Sequence, residues 1–165
     1  MDWNIFKWVI IIWIGIFIFA IFNDVFNGDG IYRKKTRIFI EIELRKINNM
    51  NGYEFEEYCA GLLRRIGYKN VNTTPLSNDG GRDIECYNLK GEKVFVECKH
   101  YKNKPINREQ VLKLLGSASH YGGDNCKALF ITTSSYNKNA IKMRSNKKLE
   151  LWDKADIIRI LKQLS

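Results

Sequence analysis

The stretch NDGGRDIECYNLKGEKVFVECKHYK, residues 78–102, contains two short hydrophobic runs, with Asp83, Glu97 and Lys99 in or beside them. Side chains alternate across a β-strand, so Glu97 and Lys99 project from one face of the run KVFVECK. Asp83 begins the preceding run, and the tight turn KGE between the runs lets Asp83 approach Glu97 across a hairpin. Two carboxylates that converge with an ammonium group are typical of a site that binds a metal and hydrolyses a phosphodiester bond.

Each of these three side chains has a role in such chemistry. The carboxylates would bind Mg²⁺, which prefers oxygen ligands, polarises the phosphate and lowers the pKa of an attacking water. The lysine would orient or help deprotonate that water and offset the charge that develops on the phosphate. The alternative is an exposed salt bridge at the end of a sheet, and the three-residue pattern taken alone favours this alternative.

The surrounding sequence predicts the elements that must position these residues. Apolar residues recur at helical spacing in NGYEFEEYCAGLLRRIGY, after an Asn51 cap and before a stop at Gly67. LSNDGG reads as a turn between the first two of three predicted strands. The strands are KNVNTTP, RDIECYNL and KVFVECKHY, and after them come helix INREQVLKLLGSASHYG, strand KALFITT, polar helix YNKNAIKMRSNKK, strand LELW and helix KADIIRILKQL. This order predicts an α/β fold, a mixed sheet flanked by helices.

Positive charge is concentrated in the C-terminal part of the chain. Lysines and arginines number 27 and acidic residues 18, which gives a net charge of +9. Residues 1–49 contain 7 basic and 5 acidic residues, whereas residues 50–165 contain 20 and 13. A basic domain attracts polyanions, so nucleic acid or an anionic membrane surface is a reasonable partner. A basic surface that only confers solubility is the alternative.

The four cysteines form no CxxC pair, and the chain has only two histidines, which argues against a zinc site. Cysteines scattered in apolar segments are typical of small buried side chains in a reducing compartment. They are Cys59, Cys86, Cys98 and Cys126.

The N-terminal run WVIIIWIGIFIFAIF, residues 8–22, contains no charged residue. A helix over residues 5–26 would extend about 33 Å and could cross a hydrocarbon core of roughly 30 Å if Lys7 reaches the headgroups. We therefore predict one N-terminal transmembrane helix within a membrane anchor, residues 1–26. The alternative is a cleaved signal peptide, which FAIFND disfavours because it offers no small-x-small cleavage site.

Residues 27–47 are predicted to be a juxtamembrane linker, and residues 48–165 the soluble domain. Four basic residues at positions 33–37 follow the predicted span, whereas Lys7 alone precedes it, so we predict a single-pass cell-membrane protein whose C-terminal domain is cytoplasmic. RIFIEIELRKI alternates like a strand but also fits an amphipathic helix; we favour a helix or a short extended lead-in.

Five stretches, taken in order, resemble the Mrr-like restriction endonuclease domain of the PD-(D/E)xK nuclease superfamily. They are MNGYEFEEYCAGLLRRIGY, SNDGGRDIECY, VFVECKHYKNKPI, ALFITTSSYNKNA and LELWDKADIIRIL. The resemblance extends over residues 48–164, and the ordered set is much more specific than any single stretch.

This resemblance implies a restriction-endonuclease-like αβββαβ core and Mg²⁺-dependent DNA cleavage of a restriction or DNA-defence type, with Mn²⁺ as a substitute metal. Asp83 and Glu97 would be the metal-binding carboxylates and Lys99 the catalytic lysine. Glu56, on the first helix of the domain, would help to position the metal or water.

Two positions depart from the usual family pattern. Many Mrr-like domains have glutamine where this chain has Glu97, but glutamate is the residue of the wider superfamily and a better metal ligand. The usual proline before the first acid is absent, since Gly81 and Arg82 precede Asp83. Neither departure argues against activity.

Residues after the catalytic strand are predicted to contact DNA phosphates, with a solvated charged loop as the alternative. They are Lys102, Lys104 and Arg108. We assign no catalytic role to His100, which points away from Lys99 in a regular strand, and we predict that Gln110 is a capping surface residue. Three alternative functions are a non-catalytic DNA-binding module, a domain that binds anionic lipid, and a junction-resolving nuclease. The sequence leaves the DNA target and the oligomeric state, a homodimer included, open.

Overall fold

The computed structural model describes residues 3–74 and 81–165. Its first element is helix α1 (Trp3–Asn49), and the chain divides into two compact units between Ile42 and Glu43. The second unit, Glu43–Leu164, contains the sheet and the remaining helices. Those elements are α2 (Gly52–Arg65), β1 (Lys69–Thr73), β2 (Ile84–Tyr87), β3 (Lys93–Lys99), α3 (Arg108–Gly122), β4 (Cys126–Thr132), α4 (Lys138–Ile141), β5 (Leu149–Trp152) and α5 (Lys154–Gln163).

The five strands form one mixed sheet in the order β1-β2-β3-β4-β5. The pairs β1–β2 and β2–β3 are antiparallel, whereas β3–β4 and β4–β5 are parallel. The hairpin turn predicted at KGE accounts for the β2–β3 pair. Parallel neighbours need a crossover connection, and here α3 connects β3 to β4. The prediction of an α/β fold with a mixed sheet is confirmed.

Both long helices of this unit begin at capping boxes that the sequence specifies locally. Asn51 accepts a hydrogen bond from the Glu54 amide (3.0 Å) and donates its own amide to the Glu54 carboxylate (2.7 Å). Asn107 and Gln110 form the same reciprocal pair at the start of α3. Reciprocal caps satisfy two otherwise unpaired amides and fix where a helix starts. Gln110 is therefore a capping residue, as predicted.

The core on the α3 side of the sheet consists of fully buried aromatic and aliphatic side chains. Phe95 on β3 and Phe130 on β4 are 0% and 1% exposed, and Leu114 of α3 is 1% exposed in the same cluster. Burial of each such side chain contributes about 1.5–3 kcal/mol, so this cluster holds α3 against the strands that it connects. The four cysteines are free and buried, which confirms their predicted burial.

The polar helix predicted for YNKNAIKMRSNKK is shorter than expected. Helix α4 ends at Ile141 and continues only as a 3₁₀ turn, Lys142–Ser145. Ala140 is the only buried residue described in these two elements, so a longer helix would bury little apolar surface in return for its ordering. The turn predicted at residues 76–81 lies outside the described residues except for Gly81.

Residues 5–26 and 27–47 are both helical within α1. RIFIEIELRKI thus adopts the helical one of its two predicted conformations. Within residues 3–74 and 81–165, no helix is both long and apolar enough to cross a membrane. The predicted transmembrane helix is therefore unsupported, since a span needs about 20 consecutive apolar residues. The predicted domain boundaries remain predictions.

Candidate active site

Asp83 is fixed at the start of β2 by hydrogen bonds on both sides. Its amide donates to the carbonyl oxygen of Val96 on β3 (2.8 Å), and its carbonyl oxygen accepts from the amide of Thr74 (2.9 Å). The Thr74 hydroxyl also donates to the carbonyl oxygen of Arg82. The backbone that carries Asp83 is therefore held between β1 and β3, which leaves its carboxylate little freedom to move.

The predicted triad of Asp83, Glu97 and Lys99 comes together at the end of β3. The Lys99 ammonium lies 2.5 Å from Glu97 Oε1 and 3.8 Å from Asp83 Oδ2. Asp83 Oδ2 also accepts a hydrogen bond from the Cys98 amide at 2.6 Å. Strand alternation and the hairpin thus produce the convergence that the sequence predicted.

Burial distinguishes this cluster from the surface salt bridge that was the alternative. Asp83 is 5% and Glu97 7% exposed, and the Lys99 side chain is 28% exposed. Ion pairs removed from water are maintained only where geometry or a ligand compensates the lost hydration. Buried charge at the end of a strand is therefore an indication of function.

The titration of the cluster follows from this burial. Loss of hydration, reinforced by the charge of Glu97, raises the pKa of Asp83 to about 7, although the Cys98 amide and Lys99 oppose the shift. Burial alone would lower the pKa of Lys99, but its hydrogen bond to Glu97 and the charges of Glu97 and Asp83 outweigh burial, so this pKa is raised. Lys99 is thus a permanent cation near neutral pH, whereas Asp83 readily exchanges a proton.

One carboxylate oxygen of the triad has no hydrogen-bond partner among the described residues. Glu97 Oε2 is buried and makes no hydrogen bond with the described part of the chain. An added Cβ at Gly81 would stand 3.1 Å from Glu97 Oε2, so this oxygen lies close to Gly81. Gly81 has φ +82°, a backbone conformation that favours glycine. A buried carboxylate oxygen without a partner among the described residues, with a second carboxylate nearby, fits a hard cation with oxygen ligands.

The protein supplies only part of the coordination shell of such a cation. Within the described ranges, no group of three or more histidine, cysteine, aspartate or glutamate side chains could hold a metal ion. Asp83 and Glu97 would therefore bind it as a pair, and water or substrate oxygens would complete the shell, which is the usual arrangement for Mg²⁺.

A family model described as restriction endonuclease, Mrr_cat, matches residues 47–161. The chain belongs to the Mrr_cat family. The match includes every element from α2 to β5 and most of α5, so the predicted resemblance is confirmed. No curated protein matches the chain.

Several solved structures share the fold of this Mrr_cat domain. The DNA modification-dependent restriction endonuclease AspBHI is 19% identical with a TM-score of 0.58, and the match covers 79% of this chain and 36% of AspBHI. MspJI restriction endonuclease, in complex with a 27-mer oligonucleotide, is 19% identical with a TM-score of 0.55, and the match covers 74% of this chain and 30% of MspJI. Can2 from Sulfobacillus thermosulfidooxidans, in complex with cyclic tetra-adenylate, is 24% identical with a TM-score of 0.53, covering 68% and 36%. The chain therefore spans about a third of these relatives.

Glu56, the other predicted acid of the Mrr_cat site, lies on α2 and is half-buried. Its charge contributes to the raised pKa values of Asp83 and the Cys98 thiol, so it acts on the site electrostatically. His100 bonds the carbonyl oxygen of Ile47 through Nε2 (2.9 Å), away from the triad.

The three predicted DNA contacts, Lys102, Lys104 and Arg108, are all exposed. Arg108 also lines a groove of about 830 Å³ between α3 and α4, together with Leu112, Lys142 and Met143. The carboxylates of the triad do not line this groove. Because the groove lacks the carboxylates that would bind a metal, we place the candidate active site at the triad and not in the groove.

Lys113 on α3 is a residue of the site that sequence reasoning missed. Its Cε and Nζ lie 3.4 and 3.5 Å from the position of a Cβ at Gly81, the same point that lies beside Glu97 Oε2. No sequence motif indicated Lys113, because a loop and almost two turns of α3 separate it from the ExK pattern that ends at Lys99. The connection of the strands could have indicated it. In a β–α–β crossover the helix starts near the end of the first strand, and here that end carries Lys99.

Proposed function

We propose that this chain is a DNA endonuclease that hydrolyses phosphodiester bonds with a divalent metal, Mg²⁺ or Mn²⁺ as a substitute, held by Asp83 and Glu97. The observation that supports it most strongly is the buried Glu97 Oε2, which has no hydrogen-bond partner in residues 3–74 and 81–165 and belongs to the cluster with Asp83 and Lys99. A purely structural salt bridge would leave no buried carboxylate oxygen without a partner, because such an oxygen costs about 1–3 kcal/mol.

When bound, the metal would polarise the phosphate and lower the pKa of a coordinated water. Lys99 would donate hydrogen bonds from its ammonium to the phosphate or to the attacking water, since its raised pKa keeps it charged. Asp83 would bind as the carboxylate, and so it must lose its proton near its pKa of about 7. Glu56 would orient water at the edge of the site.

Lys102, Lys104 and Arg108 would contact phosphates on either side of the cut bond. Such contacts fix the position of DNA without reading its sequence, and they make binding depend on salt. The DNA target is then a separate question. The fold shared with a DNA modification-dependent enzyme makes methylated DNA the first substrate to compare with unmethylated DNA.

The direct test is incubation of the full chain with supercoiled plasmid, linear, methylated and branched DNA, in Mg²⁺ or in EDTA. We expect cleavage in Mg²⁺ and none in EDTA, and a ratio of nicks to double-strand breaks that reports whether a homodimer acts on both strands. Binding of DNA without cleavage of any substrate would favour the non-catalytic module. Cleavage confined to branched DNA would favour a junction-resolving nuclease.

Gly81→Ala is expected to weaken metal binding as well as stability. Any side chain at φ +82° is strained, which costs about 1 kcal/mol, and the new Cβ would press on Glu97 Oε2 at 3.1 Å. We expect a smaller rise in Tm on addition of Mg²⁺ than for the wild type, measured by thermal unfolding with and without metal.

Gly91→Ala is the matched control for this change. Gly91 also has positive φ, at +76°, but no heavy atom lies within 4 Å of an added Cβ. Gly91→Ala should lose about as much stability as Gly81→Ala but keep the wild-type rise in Tm on addition of Mg²⁺. Equal responses of the two variants would show that the proximity of residue 81 to Glu97 has no part in metal binding.

We also propose that the chain is attached to the cell membrane through its N-terminal segment, with the nuclease domain in the cytoplasm. The large apolar side chains described between Trp8 and Phe22 are 46–69% exposed on all sides of the helix. A helix that is apolar all round needs an apolar environment, and a lipid bilayer provides one. The basic residues at positions 33–37 favour a cytoplasmic location for the domain on their C-terminal side.

Cell fractionation tests this location. The full chain should stay in the membrane pellet after washes with high salt and with alkaline carbonate, whereas a chain lacking residues 1–26 should be released. Recovery of the full chain in the soluble fraction would contradict membrane attachment, and extraction by salt alone would indicate a surface held by charge.

A further inference from the structure

The triad leaves the site with a shortage of positive charge for a phosphate substrate. Asp83 and Glu97 share the single ammonium of Lys99, which lies within ion-pair distance of both. When both acids are ionised and no metal is bound, the three side chains together are anionic. A DNA phosphate that approached them would be repelled unless further cations compensate.

Lys113 is the cation placed to do this. It is exposed on α3, and it makes no ion pair with any carboxylate of residues 3–74 or 81–165, in contrast to Lys99. Its ammonium lies 3.5 Å from the position of a Cβ at Gly81, the same position that lies 3.1 Å from Glu97 Oε2. The end of its side chain therefore stands at the rim of the site, where its ammonium can donate hydrogen bonds to a ligand.

We propose that Lys113 binds a DNA phosphate at the rim of the active site. The proposal rests on the proposed nuclease function and extends it, because it assigns a phosphate contact to α3 beyond the loop that carries Lys102 and Lys104. Lys113 is a substrate-positioning residue, whereas Lys99 remains the lysine of the reacting centre.

Binding of a DNA duplex to the full chain in EDTA, measured over a range of salt concentrations, tests this directly. Lys113→Ala should weaken binding about 3- to 10-fold. It should also make the negative slope of log K against log salt shallower by about 0.9, the value of one lost phosphate contact. Lys113→Arg should retain most of the affinity and slope. In cleavage assays with Mg²⁺, Lys113→Ala should raise KM more than it lowers kcat.

Lys154→Ala provides the matched control, because Lys154 is also an exposed lysine near the start of a helix, α5. It removes the same charge and should leave the salt slope unchanged. Equal slopes for Lys113→Ala and Lys154→Ala, in a wild type that binds and cleaves DNA, would overturn the inference and leave the nuclease proposal intact. A wild type that neither binds nor cleaves DNA would overturn both. Unchanged circular dichroism would exclude misfolding as the cause of a lower slope.

Discussion

Asp83→Asn is expected to abolish DNA cleavage while making the metal-free chain more stable. Loss of activity should reach about a thousandfold, because an amide oxygen binds Mg²⁺ weakly and the substrate phosphate then lacks its charge stabilisation. The asparagine can still accept the hydrogen bond from the Cys98 amide, so the backbone around residue 83 should keep its structure. Stability and activity should therefore move in opposite directions.

The stability gain follows from the raised pKa of Asp83. Burial and Glu97 raise this pKa from 3.8 to about 7, so at pH 8 the folded chain holds an ionised aspartate that the unfolded chain would hydrate better. The folded state binds the proton more tightly, and the contribution of Asp83 to stability therefore decreases as pH rises from about 4 to 7. Removing the charge should raise the free energy of unfolding by about 1–3 kcal/mol at pH 8 in EDTA. This gain should shrink as pH falls towards 4.

Chemical denaturation in EDTA at several pH values, combined with plasmid cleavage in Mg²⁺, measures both effects. The control is Asp153→Asn, since Asp153 caps α5 and asparagine is an equally good capping residue. It should change neither cleavage nor stability by much. Cleavage by Asp83→Asn at the wild-type rate would contradict the proposed site. If Asp83→Asn lost stability to the same extent at every pH, burial and the charge of Glu97 would not be the cause of the raised pKa of Asp83.

Local sequence patterns were sufficient to predict the triad. Glu97 and Lys99 share a strand face because of the period of two, and the turn at residues 88–92, between β2 and β3, places Asp83 near them. Asn51 and Asn107 similarly specify where α2 and α3 begin. Each of these features depends on residues close together in the chain, so one sequence is enough to predict it.

Features that depend on tertiary packing could not be predicted in this way. The position of Lys113 over Gly81 requires the path of the crossover helix above the sheet, which no short motif encodes. The lack of a partner for Glu97 Oε2 among the described residues is likewise visible only when the surrounding polar groups have been placed. The early end of α4 reflects how little apolar surface it can bury, a property of its neighbours as well as of its sequence.

Lys99→Met should destabilise the metal-free chain much more than the same substitution at Lys93, on the same strand. Methionine keeps the apolar stem of the side chain but removes the charge between two buried carboxylates. An uncompensated buried charge typically costs about 3–5 kcal/mol, and protonation of Asp83 will recover part of this, so we expect a loss of about 2–4 kcal/mol at pH 8. DNA cleavage should also be lost, because no ammonium remains to stabilise the phosphate.

Lys93 gives a close comparison because it forms an ion pair with Glu85 at 3.0 Å, with both side chains about one-third exposed (35% and 30%). Exposed pairs contribute about 1 kcal/mol or less, so Lys93→Met should lower stability only slightly. Without Lys99, the two carboxylates repel each other more strongly, and the stability of Lys99→Met should recover as pH falls from 8 to 5 and one of them is protonated.

Addition of Mg²⁺ then separates loss of charge from loss of packing. If Asp83 and Glu97 hold the metal, saturating Mg²⁺ replaces the missing positive charge and should restore more of the Tm of Lys99→Met than of Lys93→Met. The wild type should gain less than Lys99→Met, since its carboxylates already share an ammonium. Thermal unfolding of the three proteins with EDTA or Mg²⁺, at pH 5 and pH 8, gives the comparison. Equal losses for both variants that neither acid nor Mg²⁺ reverses would mean that Lys99 contributes only packing.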